Sequence, residues 1–227
     1  MAHHAYSSGD SLARNLANDV AAALTRRLVA HGAAGLVVSG GRTPAAFLRE
    51  LATRDLDWSK VCVTLADERC VPADDPASNL RFVRDAFANT PASAAALIDI
   101  DATTTDAAAR WNAALAGIPR PFAAVILGMG DDGHFASLFP GMPGLAAALD
   151  LSTTTNVVEG VAPTEPKARL SLTLPTLLDT DLLALHVTGD SKLTTLQRAS
   201  CPGSALEMPV RALLEQRRIP LEIYHAP

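Results

Sequence analysis

Short apolar runs recur along this chain, each emptying into a polar or glycine-bearing turn, and that alternation leaves few folds open to it. Leu36 to Ser39 runs into Gly40-Gly41-Arg42-Thr43-Pro44, and Val61 to Ala66 into Asp67-Glu68-Arg69. Phe122 to Leu127 runs into Gly128-Met129-Gly130-Asp131-Asp132-Gly133-His134, and Leu182 to Val187 into Gly189-Asp190-Ser191-Lys192. Runs of this length, bounded by turn residues, read as buried strands. Leu97–Ile100, Val157-Val158, Leu170–Leu174 and Leu221–Tyr224 add further strands.

Between them the spacing is helical. Leu12, Leu16, Val20, Leu24 and Leu28 recur every four residues, a helix opened by Asp10 or Ser11 and closed by Gly32. Pro44 suits the first turn of a second helix. Residues 78–88, 104–116 and 210–217 and the stretch opened by Gly189 read as helices as well. Strand and helix alternating in this way predict an α/β fold, a mostly parallel sheet with helices on both faces. No repeat, low-complexity tract or linker interrupts the pattern, so a single domain over 1–227 is expected.

In such a sheet the loops after parallel strands meet at one edge, where ligands bind. Thr43, Asp67, Glu68, Arg69, Asp132, His134 and Lys192 are therefore expected to line one cleft. The chain has 227 residues, 48% hydrophobic and 19% charged, with a net charge of −5. That modest acidity argues against nucleic acid as the main partner. No run reaches the roughly 18 apolar residues of a membrane span. Cys62, Cys70 and Cys201 are odd in number and lack Cys-x-x-Cys spacing, which predicts neither a disulfide framework nor a zinc site. A cytoplasmic setting without a signal peptide is the expectation. His3 and His4, adjacent at a chain end, are expected to be disordered rather than ligating.

Four strand-end loops carry most of the chemistry. Gly40-Gly41 joins a strand to a helix, where backbone N–H groups and the helix dipole favour a phosphate. Lys192, in a first helical turn, opposes the dipole unless an anion lies there. Arg169 is the other cation assigned to that anion. His134 follows Asp132 by two residues in a glycine turn at a strand end, the setting of a general base, with Asp132 orienting it or holding water. Asp67 is read as a base or a hydroxyl acceptor, Glu68 as one half of a structural ion pair, and Arg69 as a substrate ligand or oxyanion stabiliser. Ser137 is expected in the helix after His134, turned away from the cleft mouth. Gly128, Gly130 and Gly133 also satisfy the G-x-G-x-x-G dinucleotide pattern. Asp131 and Asp132 between the last two glycines would repel a pyrophosphate, and the motif is not at the first strand-to-helix turn, so that reading is set aside.

Taken together, these motifs resemble the 6-phosphogluconolactonases. The resemblance rests on Ser39-Gly40-Gly41-x-Thr43-Pro44, on Asp67-Glu68-Arg69-x-Val71-Pro72 followed by Ser78-Asn79, and on Gly128-Met129-Gly130-x-Asp132-Gly133-His134-x-Ala136-Ser137-Leu138-Phe139-Pro140. Arg169-Leu170-Ser171-Leu172, Gly189-x-x-Lys192 and Pro220-Leu221-x-Ile223-Tyr224 extend it over essentially the whole chain. It implies a Rossmann-like fold shared with glucosamine-6-phosphate deaminases and ribose-5-phosphate isomerases. It implies hydrolysis of 6-phospho-D-glucono-1,5-lactone in the oxidative pentose phosphate pathway, with no metal and no organic cofactor.

On this resemblance His134 is the base with Asp132 beside it, Arg69 contacts substrate, and Gly40, Gly41, Thr43, Arg169 and Lys192 hold the phosphate. Two positions depart from the usual pattern. Arg42 replaces serine in the glycine loop, as an added cation or a solvent-facing side chain, and Phe135 replaces threonine and packs under the turn. The related deaminases have Tyr where this chain has Arg69, and an acidic Asn-Glu-Pro segment where it has Ser137-Leu138-Phe139-Pro140. The acid that deamination needs is missing. A sugar-phosphate sensor would carry a DNA-binding segment, and residues 1–33 supply only one helix. The expected partner is therefore a small sugar-phosphate lactone, with no nucleic acid and no membrane; a monomer is expected, with a dimer as the alternative.

Overall fold

The computed structural model describes residues 1–41 and 43–227. Its strands, in chain order, are β1 (Ala2–Ala5), β2 (Ala34–Val38), β3 (Val61–Leu65), β4 (Asp67–Arg69), β5 (Ala96–Leu97), β6 (Ala124–Leu127), β7 (Val157–Val161), β8 (Ala168–Leu172), β9 (Leu183–Thr188) and β10 (Leu221–Ala226). The helices are α1 (Gly9–His31), α2 (Ala45–Ala52), α3 (Asn79–Phe87), α4 (Ala107–Leu115), α5 (Leu145–Leu149), α6 (Leu174–Leu177), α7 (Asp190–Ala199) and α8 (Val210–Glu215).

Seven strands form one sheet in the order β1-β10-β9-β6-β2-β3-β5, each adjacent pair parallel. Every residue of β2 and of β6 is buried, odd and even positions alike, so both faces of the sheet are covered. From β2 the chain builds outward through β3 to β5, then returns to β6 on the other side of β2 and builds through β9 and β10. The order thus reverses between β2 and β6, and a crevice opens past the carboxyl ends of strands at such a point. The glycine loop follows β2 and the His134 turn follows β6. Ser39 Oγ donates to Ile126 O at 3.1 Å and ties the two strand ends together.

Several expectations are corrected. Asp67-Glu68-Arg69 is a strand, β4, rather than a turn; it pairs antiparallel with β8 in a second sheet, β4-β8-β7. Among the described residues Glu68 makes no ion pair. It is 1% exposed, and its carboxylate accepts from the backbone N–H groups of Arg69, Asn79 and Leu80 and from Ser78 Oγ, closing the N-terminus of α3. Burial holds its carboxyl above the ordinary value, and these donors, which favour the ionised form, offset that only in part.

His3 and His4 are ordered. β1 runs parallel to β10, His4 Nε2 lies 2.6 Å from Glu222 Oε2, and the His4 ring stacks on Tyr224. The N-cap of α1 is Ser8, whose Oγ accepts from Ser11 N, two residues before the earlier of the expected caps; Gly32 closes the helix with φ 75°. Phe122, read as the first residue of a strand, lies outside β6 and makes only an isolated bridge to Thr180. Among the described residues, no helix is long and apolar enough to cross a membrane.

Candidate active site

The crevice between the ends of β2 and β6 is a cleft of ≈ 200 Å³, lined by Gly40, Gly41, Thr43, Asp67, Arg69, Asn79, Gly130, His134 and Lys192 among others. This is small beside the several hundred Å³ common for ligand pockets and suits one compact polar molecule. The structure brings seven of the sequence-assigned residues to its lining. Asp132 joins through His134. Arg42 lies outside the described residues.

The turn after β6 is built to hold one imidazole. Gly130 N donates to His134 O at 2.8 Å and Gly133 N to Gly130 O at 3.1 Å, closing the loop on itself. A Cβ at Gly130 would stand 2.1 Å from His134 Nδ1, so only glycine leaves room for the ring. Asp132 Oδ1 accepts from the His134 backbone N–H at 3.0 Å and lies 2.6 Å from Nδ1. Since a carboxylate is acceptor-only, Nδ1 carries the proton, which leaves the Nε2 lone pair free. Burial works to raise the Asp132 carboxyl, but the bonds from the His134 ring and backbone outweigh it and hold the group below its ordinary value. Phe139 packs against the other side of the ring, 4.4 Å between centroids, and Phe135 is fully buried beneath the turn.

The opposite wall gathers positive potential. No side chain caps the first turn of α2 among the described residues, so its leading N–H groups are available beside Gly40 and Gly41. A Cβ at Gly40 would fall 1.9 Å from Asn79 Oδ1, and glycine there lets the loop lie against α3. From the start of α7, Lys192 Nζ reaches back to Met129 O at 2.6 Å and lies 3.5 Å from Asp131 Oδ1. Arg69, at the end of β4, is anchored by donating to Ala77 O.

Arg169 stands apart from this lining. It faces Arg69 across the β4–β8 pair, and its guanidinium donates to Pro166 O and Ala168 O. Its side chain borders a neighbouring cavity with Cys70, Glu159 and Lys167. Burial and then the charge of Arg69 lower its pKa, while Asp67 works the other way.

Ser137 corrects the sequence reading. Residues 135–138 form a turn, not a helix, and Ser137 is 1% exposed with Oγ donating to Asp67 Oδ2 at 2.6 Å. Asn79, quoted in the motif without a role, lines the cleft and donates Nδ2 to Asp67 O at 2.9 Å. Among the described residues, no group of three or more His, Cys, Asp or Glu side chains is placed to hold a metal ion.

The family model described as "Glucosamine-6-phosphate isomerases/6-phosphogluconolactonase" matches residues 7–221. A 6-phosphogluconolactonase of Rhizobium meliloti is 43% identical over 227 residues, 99% of this chain and 98% of the relative. One from Pseudomonas putida is also 43% identical, over 99% of this chain and 92% of its own length. The crystal structure of a 6-phosphogluconolactonase from Shewanella baltica superimposes with a TM-score of 0.95 at 35% identity, covering 100% of this chain and 98% of that one. The chain therefore belongs to the glucosamine-6-phosphate isomerase/6-phosphogluconolactonase family.

Proposed function

We propose that this protein hydrolyses 6-phospho-D-glucono-1,5-lactone to 6-phospho-D-gluconate, the second step of the oxidative pentose phosphate pathway, by His134-assisted attack of water. The reading rests on the Asp132–His134 pair, which engages Nδ1 and, among the described residues, leaves Nε2 without a partner, on a residue that lines the same small cleft as Lys192 and the loop leading into α2. Relatives sharing 43% of the sequence over nearly their full length carry the 6-phosphogluconolactonase name. Arg69 in place of tyrosine, and Ser137-Leu138-Phe139-Pro140 in place of an acidic segment, favour lactone opening over deamination.

In this mechanism the phosphate rests on Gly40, Gly41, Thr43 and the first turn of α2, with Lys192 as its cation and Arg169 adding positive potential behind Arg69. Neutral His134 takes a proton from water through Nε2 as the water oxygen bonds to C1. The C1 oxygen becomes an oxyanion, for which Arg69 and those N–H groups of the 128–134 turn not already bonded within it are the candidate donors. As the intermediate collapses, the bond from C1 to the ring oxygen breaks. His134 returns its proton to that oxygen, leaving a carboxylic acid that ionises in solution. No step calls on a metal or cofactor. A cytoplasmic setting and a single folding unit belong to the same reading, supported by three free cysteines and one continuous core.

The test is turnover of 6-phosphogluconolactone generated in situ, measured as excess over spontaneous opening, with glucosamine 6-phosphate in parallel. Rapid opening with no ammonia from the amino sugar is expected. Ammonia release, or opening no faster than background, would overturn the proposal.

A further inference from the structure

The mechanism leaves Asp67 without a task, yet few side chains in the cleft are held more firmly. It is 8% exposed at the start of β4. Its main-chain oxygen accepts from Asn79 Nδ2 at 2.9 Å, and its Oδ2 accepts from Ser137 Oγ at 2.6 Å. Ser137 is itself fixed, since its backbone N–H donates to Ser171 Oγ at 3.2 Å. One bond thus reaches the carboxylate itself, from the turn after His134, while α3 holds the Asp67 main chain and β8 holds Ser137. The remaining oxygen, Oδ1, belongs to a residue that lines the cleft with Gly40, Arg69 and His134, and no described residue bonds to it.

No cation lies within ion-pair distance of Asp67 among the described residues, although Arg69 and Lys192 share its cleft. A carboxylate taken out of water without an ion pair needs hydrogen-bond donors to offset its desolvation. Ser137 supplies one, and solvent in the open cleft supplies the rest until a ligand displaces it. A phosphate or an oxyanion would be repelled by the carboxylate, so the group that satisfies Oδ1 must be a neutral donor. On the phosphosugar lactone those donors are the ring hydroxyls.

Resting on the lactonase reading, we propose that Asp67 is a specificity-determining residue whose Oδ1 accepts a ring hydroxyl of the lactone, and that Ser137 is the positioning residue that aims it. The site then reads its substrate at three places. The glycine loop and Lys192 take the phosphate, Asp132–His134 addresses C1, and Asp67 tests whether the ring between them is hydroxylated. A ligand lacking that hydroxyl leaves the carboxylate unsatisfied, and charge-assisted bonds are the ones most costly to leave unmade.

The experiment compares 6-phosphogluconolactone with its 2-deoxy, 3-deoxy and 4-deoxy analogues in the wild type, in Ser137→Ala and in the isosteric Asp67→Asn. In the wild type, kcat/KM for one deoxy analogue is expected to fall about 10-fold or more while the others change less. In both variants the parent lactone should drop toward that analogue, mainly through KM, while the analogue itself changes within about 2-fold. Asp67→Asn keeps the acceptor for Ser137 and turns an NH2 to the cleft, so the test does not depend on Ser137→Ala folding well. An equal loss for the parent and all three analogues would assign Asp67 a purely structural or proton-transferring role and overturn the proposal. So would discrimination unchanged in both variants. Absence of any wild-type turnover of the parent lactone would refute the underlying lactonase reading and the proposal with it.

Discussion

Asp132 Oδ1 lies 2.6 Å from His134 Nδ1 and 3.0 Å from the backbone N of the same residue, so one oxygen fixes both the tautomer and the position of the imidazole. The arrangement has the logic of a base and its orienting acid on a five-residue turn. Asp132→Asn keeps the shape but can offer an NH2 to Nδ1, which favours the tautomer with its proton on Nε2. We expect kcat to fall by about 10²-fold or more with KM little changed. Steady-state kinetics of the variant test this, and unchanged kcat would show that the carboxylate has no part in setting the base.

Lys192 has two bonds to give. Its Nζ donates to Met129 O at 2.6 Å, and a bound phosphate would compete for the remaining hydrogens. Lys192→Ala should raise KM about 10-fold or more, with a smaller loss in kcat from slackening of the 129–131 segment. An unchanged KM would remove Lys192 from the phosphate site.

Glu68 is the structural counterpart of these residues. Three backbone N–H groups and one hydroxyl donate to its carboxylate. Glu68→Gln replaces one acceptor oxygen with an NH2 facing donors, at a cost of about 1–3 kcal/mol. For a chain of this length that corresponds to a fall in Tm of roughly 3–10 °C. Thermal unfolding at constant pH measures it, and an unshifted Tm would mean that the capping network contributes nothing net.

His186 makes stability pH-dependent. It lies in β9, 3% exposed, edge-on to Phe47, and burial lowers its pKa from 6.5 to about 4. The unfolded chain therefore takes up a proton below pH 6.5 that the folded protein refuses until about pH 4. The contribution is present in full above pH 6.5 and is lost on acidification through that window, on the order of 3 kcal/mol at most. His186→Leu should unfold with a shallower pH dependence between 6.5 and 4 than the wild type. Parallel slopes for the two proteins would show that His186 is not the group responsible.

The His134 turn was legible because its signal is local. An apolar run fixes the strand, and glycines interleaved with acids leave little else for the turn to be. The glycine loop was readable for the same reason. β4 was not, because Asp-Glu-Arg lacks the apolar alternation of a strand and owes its conformation to pairing with β8 about a hundred residues away. Strand β1 likewise exists through pairing with β10 at the other end of the chain. The place of Ser137 is not readable locally, because its Oγ meets a carboxylate 70 residues earlier. Arg169 was legible only in part. Its place at the start of β8 was readable, but the side chain borders the neighbouring cavity, a choice made by the carbonyls of Pro166 and Ala168.

The mechanism stands or falls with activation of the attacking water by His134 Nε2. The most direct test is kcat for 6-phosphogluconolactone in wild type and His134→Ala, corrected for spontaneous opening, with binding of 6-phosphogluconate measured on the same samples. kcat should fall by about 10²–10⁴-fold, with product affinity within a few-fold of wild type. Turnover that survives the substitution would contradict that mechanism.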